Sequence, residues 1–268
     1  MKFGACSWIF GDEPLRTKVQ RIAALGLDGV ELYGDLSLNP REARKIFADC
    51  QLAVLSLTPD NVDLCHPDAR INRPALDYYL RLVDFAAEVG APLLACHGQV
   101  GRVRAVGSYA EEWNLMAAAV REIASRAAQR NLRVAIELLN RYEAHLLNSA
   151  DEGLQFVGEV GAANLGLLLD TYHMNIEEAH LPRAIENAAG NLFLFHIADS
   201  NRQAVGRGHI DFAAIAQALR TAGYGGDVIF ECVAPGPDPF TPIKGSDSRA
   251  QVELFLRESL TRMKENIA

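Results

Sequence analysis

No stretch of about 18 consecutive apolar residues occurs in the 268-residue sequence, so nothing in it reads as a membrane-crossing helix. The opening residues, MKFGACSWIFGDEP, lack the basic-then-apolar order of a secretory leader, and a soluble, cytoplasmic protein without a membrane partner is expected. Cysteine is sparse. Cys6, Cys50, Cys65, Cys96 and Cys232 are an odd number without paired metal or disulfide spacing, which predicts reduced and mostly buried thiols. Positive charge is short as well: 26 Lys and Arg stand against 34 Asp and Glu, for a net charge of −8, and no basic cluster stands out. A phosphate backbone needs local positive charge, so no nucleic-acid partner is expected. Finally, the first apolar run is followed by Cys6, Ser7 and Trp8 where a dinucleotide-binding sheet would carry a Gly-rich turn, which argues against an open doubly wound fold.

What is present is a rhythm. Short Val/Ile/Leu/Phe runs alternate with longer amphipathic stretches, the pattern of consecutive βα units around a parallel sheet. Eight such runs begin at Lys2 (KFGAC), Gly29 (GVEL), Leu52 (LAVLSL), Pro92 (PLLAC), Leu132 (LRVAIE), Leu165 (LGLLLD), Leu192 (LFLFH) and Val228 (VIFE). Helical patterns lie between them, among them LRTKVQRIAALG, REARKIFADC, ALDYYLRLVDFAAEVG, YAEEWNLMAAAVREIASRAAQR and DFAAIAQALRTAG, with Gly26, Gly90 and Gly223 as stop signals. Eight units in this length, with 49% hydrophobic residues, predict one α/β domain over residues 1–268, a (β/α)8 TIM barrel. The Pro- and Gly-rich stretch from Ala234 reads as the loop after the eighth strand, because only one helix follows it.

In such a barrel the chemistry collects at the C-terminal strand ends. Strands five to eight close on Glu137, Asp170, His196 and Glu231. With 34 acidic residues and seven histidines in the chain, four consecutive hits by chance come at about one in 2,000 for fixed strand ends, and far more often if each end can slide. Each of these residues follows an apolar run and would be costly to bury without a counter-ion. One divalent cation supplies that counter-ion; the competing reading is four separate ion pairs at the rim. The oxygen-rich set with one imidazole suits Mn2+ best, with Mg2+ or Co2+ as alternatives.

The segments IELLNRYE (from Ile136), LDTYHMNIEE (from Leu169), FHIADSNR (from Phe195), GRGHIDF (from Gly206) and IFEC (from Ile229) resemble the sugar isomerase and epimerase group of barrel proteins. That group contains D-tagatose and D-psicose 3-epimerases and relatives of xylose isomerase. The resemblance implies a metal held by Glu137, Asp170, His196 and Glu231, a sugar substrate held by Glu143, His173 and Arg202, and assembly as a homodimer or homotetramer. It is dense in the C-terminal half. In the N-terminal half only the βα rhythm matches.

The chemistry can also be built from the residues. Removing a proton from carbon beside a ketone requires stabilising the enediolate that forms, a task for a Lewis acid. Epimerisation then needs one group on each face of the substrate. Glu137 and Glu231, about 135° apart around an eight-strand ring, are expected to be that acid/base pair, and the resemblance implies that the reaction is ketose 3-epimerisation, at C3. The supporting residues have duller alternatives. His173 either bonds a substrate oxygen or caps local backbone, Arg202 either reaches inward or faces solvent, and Glu143 orients either substrate or Arg202. Trp8 either lines the pocket or is structural.

Related reactions use the same chemistry: keto-sugar-acid epimerisation, 1,2-aldose/ketose isomerisation, hydroxypyruvate isomerisation, and inosose isomerisation or dehydration. An AP endonuclease-like phosphoesterase would need extra histidines, for which His66, His97 and His209 are candidates, but the acidic balance opposes it. Arg102 and Arg104, in the loop after the fourth strand, either hold a substrate anion or are solvated.

Overall fold

The computed structural model describes residues 1–238 and 240–267. Eight parallel strands close on themselves: β1 (Phe3–Cys6), β2 (Gly29–Tyr33), β3 (Ala53–Thr58), β4 (Leu93–Cys96), β5 (Arg133–Glu137), β6 (Leu165–Asp170), β7 (Leu192–Ile197) and β8 (Asp227–Phe230), with β8 pairing back onto β1. Around them lie α1 (Leu15–Ala24), α2 (Pro40–Asp49), α3 (Ala69–Val89), α4 (Tyr109–Gln129), α5 (Ala150–Val160), α6 (Thr171–Glu177), α7 (Leu181–Ala188), α8 (Phe212–Thr221) and α9 (Ser248–Ile267). The expected (β/α)8 barrel is the observed one. No helix among the described residues is long and apolar enough to cross a membrane. The five cysteines are unbonded, and all but Cys50 are buried.

Local chemistry sets the element boundaries. Asn39 accepts backbone N–H bonds from Arg41 and Glu42 at the start of α2, and Ser149 with Glu152 forms a capping box on α5. Gly26, Gly90 and Gly223 all take positive φ, as helix-ending glycines do. One boundary differs from the sequence reading. The α3 pattern was expected to begin at Ala75, but Asp68 caps Arg70 N–H at 2.9 Å, so the helix starts at Ala69 and absorbs Pro74 in its second turn.

The barrel interior is packed, with no pore. Gly4 pairs in register with Gly29, and a Cβ on Gly4 would lie 2.7 Å from Leu55 Cδ1, so this level of the barrel is filled by the leucine. Above it the C-terminal strand ends carry the polar residues.

Candidate active site

Glu137 and Asp170 end β5 and β6, and Asp170 pairs with His196 of β7. Glu231 lies one residue past β8 as it folds, where the sequence reading ended that strand on it. Its N–H nevertheless donates to Ile197 O at 3.0 Å, so the ladder still sets its height. The four side chains offer ligand atoms that all lie within 4.8 Å of one another, and all four are buried. His196 Nδ1 stands 3.8 Å from Glu137 Oε1 and 3.6 Å from Glu231 Oε2.

Two atoms of this cluster, Asp170 Oδ2 and His196 Nδ1, are buried without a hydrogen-bond partner. Such orphans are rare, because an unpaired buried polar atom costs about 1–3 kcal/mol. Asp170 explains its own half: Oδ1 caps α6 by accepting Tyr172 N–H at 2.9 Å, which leaves Oδ2 aimed at the cluster. Neighbouring carboxylates at this spacing repel by roughly 3 kcal/mol per pair at an effective dielectric near 20. Burial, reinforced by Glu231, pushes the Asp170 carboxyl up to about 7. Burial likewise raises Glu137, with Glu231, Asp170 and Glu31 adding to the shift. At Glu231 burial is outweighed by Arg202 and His196, and the carboxyl is held well below its usual range. Crowded acids with two orphaned donor atoms fit a divalent cation.

Beside the cluster opens a cavity of about 380 Å³, walled by Glu137, Glu231, Glu143, His173 and Arg202 near the acids and by Asp12, Lys18, Tyr33, Asp60 and Asn61 farther out. His173 is buried in this wall. Its Nδ1 accepts from Asn140 N–H at 3.2 Å, which leaves Nε2 carrying the proton, 3.7 Å from Asp170 Oδ2. Burial and the nearby Arg202 hold this imidazole well below its ordinary range, hence neutral. Arg202 faces inward. It donates to Glu231 Oε2 at 3.0 Å, lies 3.7 Å from Glu143 Oε1, and stacks over the Tyr172 ring at 4.6 Å. Trp8 both lines the cavity and donates Nε1–H to Glu231 Oε1 at 2.9 Å.

The sequence reading is corrected at Arg102. This side chain neither awaits a substrate anion nor faces solvent: it donates to Asp63 Oδ2 at 2.6 Å and Glu112 Oε2 at 2.5 Å, tying three segments together. Arg104 is exposed, and its carbonyl accepts from Arg102. The three extra histidines do not join a ligand group among the described residues. His66 and His97 each accept a nearby backbone N–H, and His209 bonds Ser200. Two residues that the sequence reading missed are Asn140, which orients His173, and Glu31, which bonds His196 from β2. A charged residue inside an otherwise apolar strand was the available signal for Glu31.

The family profile described as xylose isomerase-like TIM barrel matches residues 19–258. A ketose 3-epimerase of Arthrobacter globiformis is 32% identical across 95% of this chain and 94% of its own length. An L-ribulose 3-epimerase of Mesorhizobium japonicum is 44% identical over a shorter match, 45% of this chain and 41% of that protein. The crystal structure of a D-psicose 3-epimerase in the presence of D-fructose superposes with a TM-score of 0.90 at 25% identity, covering 100% of this chain and 99% of that one. With its barrel, its strand-end acids and these similarities, the chain belongs to the xylose isomerase-like TIM barrel family and stands within it beside ketose 3-epimerases.

Proposed function

We propose that the protein is a divalent-metal-dependent ketose 3-epimerase that inverts C3 of a ketohexose or ketopentose. The observation that carries this reading is the placement of Glu137 and Glu231, which belong to the four-ligand cluster and also line the cavity. Glu137, Asp170, His196 and Glu231 would hold the cation, Mn2+ by preference, with Mg2+ or Co2+ able to replace it. When bound, the cation would supply the Lewis acidity that makes the C3 proton removable.

The chain's own groups do the rest. One of Glu137 and Glu231 takes the C3 proton from one face and the other returns a proton to the opposite face. Arg202 and Trp8 grip separate oxygens of Glu231 and so fix the plane of its carboxylate. His173, neutral and protonated on Nε2, donates to a sugar oxygen, and Glu143 accepts from a hydroxyl. Carboxylates outnumber cations in the lining, with Asp12, Asp60, Glu137, Glu143 and Glu231 against Lys18 and Arg202. Even with a divalent cation added, that balance favours a neutral ketose over a phosphorylated or carboxylated sugar. The same acidic balance disfavours nucleic acid. Reduced cysteines fit a cytoplasmic setting. Assembly as a homodimer or homotetramer completes the reading, with Tyr142, 74% exposed, as an aromatic surface open to a partner copy.

The test is a screen of the Mn2+-loaded protein against neutral ketoses, ketose phosphates and keto-aldonates in D2O, read by NMR. Deuterium is expected at C3 of a neutral ketose; exchange confined to another carbon, or to the anionic sugars, overturns the reading. Glu137→Gln and Glu231→Gln variants that keep fold and metal should lose about 100-fold or more of the C3 exchange rate.

A further inference from the structure

Glu31 is buried in the barrel interior at 0% exposure, a position where an ionisable side chain is costly unless something requires it. Its carboxylate accepts from Ser56 Oγ at 2.5 Å, from Cys6 Sγ at 3.4 Å, and from His196 Nε2, 3.1 Å from Oε1. The backbone brings these partners level. Glu31 pairs in register with Cys6 on β1 and with Ser56 on β3, and the β2–β3 register shift falls between Val30 and Glu31. Without that shift Leu55 would stand opposite Glu31 in place of the serine. His196 reaches the same point from β7, three strands away around the ring.

We propose that Glu31 is a positioning residue that fixes the tautomer and tilt of His196, so that Nδ1 is its metal-ligating atom. A neutral imidazole carries one N–H. With that proton on Nε2 and donated to Glu31, the Nδ1 lone pair points at Glu137, Asp170 and Glu231, where it has no other partner. With the proton on Nδ1, an N–H would occupy the place of the cation and no lone pair would be offered. Carboxylates that accept the one remaining N–H of a ligating histidine act in this way at metal sites, and removing one weakens metal binding about 10- to 100-fold.

The inference rests on the metal site proposed above, but not on which sugar turns over. In the wild-type protein loaded with diamagnetic Mg2+ and labelled with 15N-histidine, His196 is expected to be protonated on Nε2, with its resonances assigned by loss in His196→Gln. Calorimetric titration of Mn2+ into the metal-free protein should show Glu31→Gln binding about 10- to 100-fold more weakly than wild type, and Ser56→Ala losing less. A His196 protonated on Nδ1, or unchanged Mn2+ affinity in a folded Glu31→Gln variant, overturns the proposal. If that variant does not fold, the wild-type tautomer decides alone. Tight Mn2+ binding without ketose turnover would sink the epimerase reading and leave this one standing, whereas absence of Mn2+ binding by the wild type would sink both.

Discussion

Arg202 occupies its place at a conformational cost. Its φ of 60° lies in the left-handed region, which for a residue with a side chain costs on the order of 1–3 kcal/mol and persists only where neighbours enforce it. Asp199 is the enforcer. It is fully buried, its carbonyl accepts Arg202 N–H at 2.7 Å, and its carboxylate accepts N–H from Ser200, Gly206 and Ile210. Gly208 must stay small there, since a Cβ would collide with the Asp199 carboxylate and Ser200 Oγ. Asp199→Ala should therefore release the loop and misplace the guanidinium that faces Glu231 and Glu143. A misplacement of about 1 Å is enough to cost roughly 100-fold, so kcat/KM for the ketose is expected to fall by that order while Mn2+ affinity holds. Unchanged kcat/KM in a folded Asp199→Ala protein would contradict this account.

The connections between elements carry a second device, centred on Arg102. Its guanidinium joins Asp63 from the loop after β3 to Glu112 in the first turn of α4, and His145 from the loop after β5 lies 2.7 Å from the same Glu112. Glu112 is fully buried; burial alone would raise its carboxyl, but Arg102 and the backbone N–H groups of Gly107 and Val106 reverse that and hold it near about 2. Removing the cation by Arg102→Ala leaves that buried acid with its backbone N–H bonds and His145 but without its guanidinium, a change worth about 3 kcal/mol. Melting of the variant should come about 6 °C or more below wild type, and a shift of less than about 2 °C would show that the tie is dispensable. Its partners lie 39 and 10 residues away in sequence, which is why a loop arginine could not be read as structural from its neighbours. The strand ends were legible for the opposite reason. Glu137 and Asp170 each close a short apolar run of the kind a buried parallel strand presents, spaced by helical patterns on either side. Glu231 was legible within one residue. Glu31 showed only as a charge in an apolar strand; its role was not legible, because Cys6, Ser56 and His196 meet it only once β1, β3 and β7 are assembled around β2, with a register shift bringing Ser56 level.

At the scale of the whole molecule, the acid cluster ties stability to pH and to metal. Burial and Glu231 raise Asp170 from 3.8 to about 7, while Glu31 and Glu231 outweigh burial to raise His196. Both groups bind protons more tightly folded than unfolded. The stability they lend the metal-free protein is therefore full at low pH and is lost as pH rises, for Asp170 through about 7. A cation needs the same groups deprotonated, so its stabilisation grows as pH rises. At a hundredfold excess over its dissociation constant it should add about 2.7 kcal/mol. The gap in melting temperature between Mn2+-loaded and chelator-treated protein is then expected to be small near about pH 5 and to reach about 5–10 °C near about pH 8. A gap independent of pH would contradict the proton linkage. The barrel's division of labour reaches beyond this chain. The four clustered side chains come from β5, β6, β7 and the residue after β8, yet the carboxylate bonded to His196 comes from β2. A chimera that grafts residues 131–267 onto a foreign N-terminal half-barrel would inherit every ligand and leave the brace behind, unless the incoming second strand brought an acid to the same level.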